Sequence, residues 1–351
     1  MSAIEARARR VQQAVALAGR VADPADRLGI EARRDLAVTS GLSREGVELA
    51  LAQHLEVAIS DADLASLLDA VDLAPCCHVI LAANVCTAAL RAIALAFAAS
   101  LAVTIRPSRR DPGIALILAR ELGIALTDTI AAAPGDALHV YGSDATIAEV
   151  RATTAEGVIV HGHGTGLGIA IVGADADLDA SAQMLAADVI PFDQRGCLSP
   201  RFALVEGSED RAAAFARALH AALLDLGERV PRGPLDEDTL AAIALHGAAL
   251  DAVGERFVGP QHVVGLDPTP RALLLPPAAR VVQVVPASAE AAGRLLGPWA
   301  RFLTTVGGSG RGALLDAVSA LAPEARRAAL GRMQRPPLDG PVDRRGPGKQ
   351  S

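Results

Sequence analysis

Residues 77–108 read CHVILAANVCTAALRAIALAFAASLAVTIRPS, and this stretch decides the fold. CHVILAAN is an apolar run of strand length that ends at Asn84. TAALRAIALAFAAS, 87–100, is an Ala- and Leu-rich run of helix length, and LAVTIRPS returns to β-branched residues before Pro107. The apolar run from Val79 to Ile105 is long enough for a membrane span, but Asn84 and Arg91 interrupt it. It reads instead as a buried strand followed by a buried helix. Strand, helix, strand is a βαβ unit, and the alternation continues. PGIALILARELG is helical, ALHVYGS is a strand ending at a glycine, ATIAEVRA is a short helix, and EGVIVHG and GIAIVG are strands. DLDASAQMLAADVI (helix), RFALVEG (strand), a helix over 209–226 and strands in RALLLPP and RVVQVVP complete the pattern. Residues 1–70 are helical in pattern. Ser43 precedes the stripe Val47, Leu51, Leu55, and Ser60 precedes Leu64, Leu67, Leu68 and Val71. The expected fold is α/β with parallel sheets, and 351 residues make two domains the default.

With 51% hydrophobic but only 2% aromatic residues and 32 Gly, the core has to be built from Ala, Leu, Val and Ile with closely packed backbone. The charge balance of 33 Lys+Arg against 40 Asp+Glu gives −7. No basic stripe with interleaved aromatics occurs, so nucleic acid is not an expected partner. Four cysteines in so long a chain make no disulfide framework, and Cys76-Cys77 lacks CxxC spacing. The first twenty residues are charged and Ala-rich without a signal-type apolar stretch. A cytoplasmic protein with no membrane span is expected.

Two stretches carry candidate chemistry. In PFDQRGCLSP, 191–200, Pro191, Gly196 and Pro200 rule out a continuous element, so Cys197 sits on a polar turn where it can be reached. In VIVHGHGTGLGIAIVG, Gly162, Gly164, Gly166 and Gly168 alternate with other residues but lead into a strand rather than a helix. They therefore match neither the dinucleotide fingerprint nor a P-loop, and either line a site or make a tight crossing. His161 and His163 share one strand face, but no third ligand stands nearby in sequence, so no metal site is expected.

In order and spacing these pieces resemble the acyl-CoA reductase branch of the aldehyde dehydrogenase superfamily, the fatty acyl-CoA reductases of bacterial luminescence. LAANVCTAAL through VTIRPSRRDP is similar to the superfamily's Asn-bearing strand and its Lys-Pro-Ser turn. LHVYGSDATIAEV is similar to its Gly-Ser turn near the nicotinamide cofactor. GHGTGLGIAIVGADADLDASA resembles its glutamate-base segment, and DQRGCLSP its nucleophile loop in the acyl-CoA reductase form. GLSREGVELAL and ALGRMQRPPLDG also resemble that branch.

The resemblance implies two α/β domains, one for the cofactor and one catalytic, with the site in the cleft between them and an N-terminal helical segment. The expected boundaries are 1–160 for the helices and cofactor domain and 161–310 for the catalytic domain. Residues 311–335 are expected to return to the cofactor domain, and 336–351 to form a flexible tail. It implies Cys197 as nucleophile, Asn84 as the amide that holds the oxyanion with the Cys197 N–H, and Gly142, Ser143 and Gly164 facing the cofactor. Arg106 and Ser108 stand in the Lys-Pro-Ser turn. Arg109 stands where NAD-preferring enzymes often carry a carboxylate, and a guanidinium there would pair with a 2′-phosphate, so NADP (NADPH) is expected. No carboxylate stands in HGHGTG, and the family's spacing from Cys197 lands near His163, which is expected to deliver a proton.

The expected reaction converts an acyl-CoA to an aldehyde through an acyl thioester on Cys197, with Arg195 favouring the thiolate. Homo-oligomerisation follows from the resemblance alone, and an acyl-activating partner enzyme is left open as the source of the acyl group. The alternatives are an acyl-phosphate or free-aldehyde substrate, or a shortened, catalytically silent relative that binds a partner.

Overall fold

The computed structural model describes residues 2–345. The chain divides into two compact units. One runs to Thr165 and takes up the chain again from Pro337, and the other is Gly166–Pro336.

The first unit opens with four helices, α1 (Ala3–Ala22), α2 (Arg27–Thr39), α3 (Arg44–Gln53) and α4 (Asp61–Asp69). Ser43 and Ser60 cap α3 and α4 through the backbone N–H groups of Gly46 and Asp63. There follow β1 (Cys77–Ile80), α5 (Ala88–Ala99), β2 (Val103–Arg106), α6 (Gly113–Leu122), β3 (Ala125–Leu126), β4 (Ala137–Tyr141), α7 (Asp144–Thr153) and β5 (Ile159–His163). The sheet is wholly parallel in the order β3-β2-β1-β4-β5, so strand order reverses between β1 and β4. The apolar run 79–105 is strand, helix and strand, with α5 buried on every face and packed on α1. Among the described residues no helix is long and apolar enough to cross a membrane.

Arg91 is buried on α5. Its guanidinium pairs with Glu56 at 2.9 Å and donates to the carbonyls of Gly340 (2.8 Å) and Pro337 (3.0 Å). This clamp corrects the expected tail. Residues 336–345 are packed, with Leu338 and Asp343 buried, and 346–351 lie outside the described residues.

The second unit contains β6 (Leu167–Val172), α8 (Leu178–Val189), a 3-10 turn (Pro191–Gln194), β7 (Pro200–Glu206), α9 (Glu209–Arg229), α10 (Glu237–Val253), β8 (Glu255–Val258) and β9 (Val263–Leu266). β10 (Val281–Ala287), α11 (Ala289–Leu296), a 3-10 turn (Gly297–Phe302), β11 (Leu303–Ser309), α12 (Ala313–Leu321) and β12 (Arg326–Ala329) complete it. Its sheet runs β12-β11-β6-β7-β10-β9-β8, parallel except for β8.

Residues 311–335 stay in this unit rather than returning to the first, because β12 joins the sheet beside β11. The boundary at 165/166 likewise falls a few residues after the expected 160. RALLLPP forms no strand. Flanked by Pro270, Pro276 and Pro277, it is tied instead by side chains, Gln283 Oε1 accepting from the Leu274 N–H (3.0 Å) and Arg201 donating to the Pro276 carbonyl (2.8 Å).

Replacing Arg91 with Ala strands Glu56 and two carbonyls, and is expected to cost about 3 kcal/mol. Urea unfolding measures the loss, and limited proteolysis should cut the 337–345 segment first.

Candidate active site

Cys197 lies half-buried in a β-turn, Gly196–Cys197–Leu198–Ser199, closed by the Ser199 N–H donating to the Gly196 carbonyl at 3.1 Å. The turn delivers the chain into β7. Its approach is built from backbone that L-residues avoid, with Phe192, Asp193 and Gln194 at φ 55°, 50° and 63°. Opposite them Ala279 and Arg280 also have positive φ, 81° and 67°. Among the described residues these five are the non-glycine positions with positive φ, and Asp193 joins the two segments.

What holds that contact is polar and buried. Arg280 Nη2 meets Asp193 Oδ1 at 2.7 Å, with both side chains almost completely shielded. Asp193 Oδ2 accepts the Gly233 N–H at 3.0 Å, and its carbonyl accepts the Ala279 N–H at 3.1 Å. The fully buried Gln194 amide donates to the carbonyls of Pro200 (2.7 Å) and Val281 (2.8 Å) and accepts the Val281 N–H (2.8 Å). Arg195, expected to act on the thiol, gives its Nε to the Phe192 carbonyl at 3.1 Å. The Thr304 hydroxyl lies within hydrogen-bond reach of the Cys197 carbonyl and of Leu167 O.

The second half of the glycine stretch passes beside this turn. A Cβ on Gly166 would overlap Thr304 and crowd Cys197 Cβ, and one on Gly168 would overlap the Leu198 carbonyl and Met333. Gly164 serves a different contact, in the first unit, where the Asp144 carboxylate fills the space a Cβ would need and accepts the Thr165 N–H at 2.8 Å. That gives Gly164 a packing reason beside the cofactor contact expected of it. Two of the other thiols differ from Cys197, and the third, Cys86, is half-buried like it. Burial pushes Cys77 up to about 12 and also raises Cys76, which makes both poor nucleophiles.

In the first unit the residues singled out from the sequence gather at the carboxyl ends of its parallel strands. Asn84 is exposed on the loop after β1, Arg106 ends β2, and Ser108 and Arg109 follow it. Ser108 Oγ accepts the Arg110 N–H at 3.2 Å and so shapes that loop. Arg109 is exposed and makes no hydrogen bond or ion pair with a described residue. Gly142 follows β4, and Ser143 caps α7 by accepting the Thr146 N–H at 3.2 Å. Strand ends at an order reversal, a helix N-terminus and an uncommitted guanidinium are groups that fit an anionic dinucleotide.

His163 does not suit the proton-donor role expected of it. The register of β4 and β5 sets His139 opposite His161 and Tyr141 opposite His163 on one face. The His163 ring stacks on Tyr141 at 4.2 Å, and its Nε2 is 3.0 Å from His139 Nδ1. His161 stacks on His139 at 4.7 Å. The three histidines line a cavity of about 130 Å³ with Asp72, Asp343 and Arg345. Burial pushes His163 down to about 4, with His161 and Arg345 adding to the fall and Asp343 opposing it, so the ring is neutral near pH 7. Burial also holds His139 and His161 below the ordinary range. The third histidine, His139, was hidden from sequence because only strand register brings it there. Among the described residues no group of three His, Cys, Asp or Glu side chains could hold a metal ion.

Two outcomes follow from this geometry. Arg280→Met leaves Asp193 buried without its cation and is expected to cost about 3–5 kcal/mol in urea unfolding. His163 binds a proton in the unfolded chain near pH 6.5 but in the fold only near 4, so the fold loses stability as pH falls through that window. The melting temperature should drop from pH 6.5 to 4, and His163→Gln should flatten that slope. His262, also held at about 4, should keep part of it. Identical slopes in the two proteins would sink this account.

Over residues 123–341 the chain matches a family described as Acyl-CoA reductase (LuxC). That span includes the glycine stretch, Cys197 and the segment around Met333, whereas Asn84, Arg106, Ser108 and Arg109 precede it. No curated protein sequence matches the chain. Among solved structures, an NAD-dependent benzaldehyde dehydrogenase from Corynebacterium glutamicum is similar at 17% identity and a TM-score of 0.70, over 94% of this chain and 80% of that one. Aldehyde dehydrogenase 21 from Physcomitrella patens, in complex with succinate, is similar at 15% identity and a TM-score of 0.70, over 96% and 79%. The chain has the aldehyde dehydrogenase fold.

Proposed function

The chain belongs to the acyl-CoA reductase (LuxC) family, and we propose that it reduces an acyl-CoA thioester to an aldehyde with NADPH, through an acyl thioester on Cys197. The observation that carries this reading is the Cys197 turn, a half-buried thiol on a loop braced by the buried Asp193–Arg280 pair and the Gln194 amide.

The Cys197 thiolate attacks the thioester carbonyl, forming a C–S bond and placing the carbonyl electron pair on oxygen. In this reading the Asn84 amide and the Cys197 N–H hold that oxyanion. Collapse re-forms the carbonyl and expels CoA as its thiolate. NADPH, when bound, supplies the hydride that takes the acyl carbon to the aldehyde level. Cys197 then leaves as thiolate when the aldehyde is released. Arg109 would pair with the 2′-phosphate, with Arg106, Ser108, Gly142 and Ser143 along the rest of the cofactor. HGHGTG carries no carboxylate to draw water onto the thioester, and this supports the aldehyde-forming direction over hydrolysis.

The test is intact mass after mixing the protein with a panel of acyl-CoAs without NADPH. An added acyl group, absent in Cys197→Ala, is expected, and the best-labelled chain names the substrate class. Asn84→Ala should slow labelling by about a hundredfold, the usual scale for one lost oxyanion donor. Arg109→Glu should weaken NADPH binding while sparing NADH. No adduct in a protein that binds NADPH would favour an acyl-phosphate or free-aldehyde substrate. Failure of both would favour a silent relative.

A further inference from the structure

ALGRMQRPPLDG resembles the reductase branch in sequence, yet the mechanism above gives it no task. Its first part lies under the nucleophile turn. Beyond β12, the Gly331 and Met333 N–H groups donate to the two carboxylate oxygens of Asp188, at 2.6 and 2.9 Å. Asp188 sits at the end of α8, buried, just before the left-handed residues that lead to Cys197. Fixed in this way, the Met333 side chain lies over Gly168 and Gly307, where any Cβ would displace it.

The next residue reaches the turn itself. Gln334 Nε2 donates to Ser199 Oγ at 2.8 Å and lies 3.2 Å from the Asp188 carbonyl, and both side chains are buried. Ser199 is thereby held on three sides. Its N–H closes the turn around Cys197, its carbonyl accepts the Gly168 N–H at 2.9 Å, and its hydroxyl accepts from Gln334.

We propose that Gln334 is a positioning residue for Cys197, acting through Ser199, and that Asp188 fastens the 331–333 backbone that carries it. The inference deepens the proposed acyl transfer and rests on Cys197 being its nucleophile. It assigns residues 331–334 to the nucleophile loop as a strut, which explains why a segment so far along the chain shares the second unit. Gln334 touches neither the thiol nor a reacting atom, so its removal should change the geometry of the turn more than the stability of the fold.

The experiment compares Gln334→Ala, the nearly isosteric Gln334→Glu, Ser199→Ala and the double variant Gln334→Ala/Ser199→Ala, all in the full chain. The rate of acyl labelling by an acyl-CoA is read beside amide hydrogen exchange across residues 196–199 and the melting temperature. Gln334→Ala and Ser199→Ala should each label about fivefold to tenfold more slowly, the scale of one lost hydrogen bond. Exchange should quicken in the turn but not in the flanking strands. Gln334→Glu, whose carboxyl can still pair with the Ser199 hydroxyl, should fall between Gln334→Ala and the unaltered protein. The double variant should be no worse than either single change, because both remove one bond.

Unchanged exchange across 196–199 in both Gln334→Ala and Ser199→Ala would overturn the strut, as would additive losses in the double variant. If the unaltered protein takes no acyl group, the acyl-transfer reading has failed. Exchange in the turn then decides the strut by itself, quickening supporting it and no change rejecting it.

Discussion

The buried ion pair between Asp193 and Arg280 is the constraint on which the second unit's chemistry depends. Five non-glycine residues with positive φ lie in the two segments this pair joins, and each costs on the order of 1–2 kcal/mol relative to ordinary backbone. Such strain persists only where the surroundings over-determine it. Here the two carboxylate oxygens of Asp193 and all three polar functions of the Gln194 side chain are engaged. A glycine-rich loop could have reached the same dihedrals without strain, but it would have left the cysteine on a flexible tether. Non-glycine residues locked by buried polar contacts give one conformation, and acyl transfer gains most when the reacting groups are held in one geometry.

The fold was legible in the sequence wherever an element consists of one type of run. CHVILAAN, the α5 helix and LAVTIRPS each carry a single periodicity, and the helix caps at Ser43 and Ser60 follow from local chemistry. β9 is hidden by the breakers around and within it, Gly259-Pro260, Gly265 and Pro268, and RALLLPP reads as a strand because apolarity says nothing about which backbone groups find ladder partners. Cys197 was legible from Pro191, Gly196 and Pro200, which excluded regular structure. Its bracing was not. No residue-level preference places Phe192, Asp193 and Gln194 in left-handed conformations, and Arg280 and Val281 come from the far end of the unit.

The alternating glycines posed a choice between lining a site and making a crossing, and the structure divides them. Gly164 yields its space to a carboxylate at a helix start, whereas Gly166 and Gly168 let one strand pass against the Cys197 turn. The same residue type at the same spacing thus has two physical causes, and only three-dimensional neighbours tell them apart. The C-terminal stretch teaches the same lesson. Residues 326–334 belong with the sheet they complete and the turn they support, and the chain joins the first unit only from Pro337, where Arg91 receives it.

Withdrawing His163 as a proton donor leaves no gap in the proposed chemistry. Each tetrahedral species in that sequence carries its negative charge on the former carbonyl oxygen and expels a sulfur leaving group. Thiols ionise near pH 8.5, so a thiolate departs readily without prior protonation, unlike the amine or alkoxide that makes a general acid necessary elsewhere. Fixed donors to the oxyanion and a well-placed thiol are the larger requirements. A general base would be needed only to activate water, the competing reaction that an aldehyde-forming enzyme has to avoid. A glycine stretch without carboxylates is therefore compatible with the proposed thioester reduction.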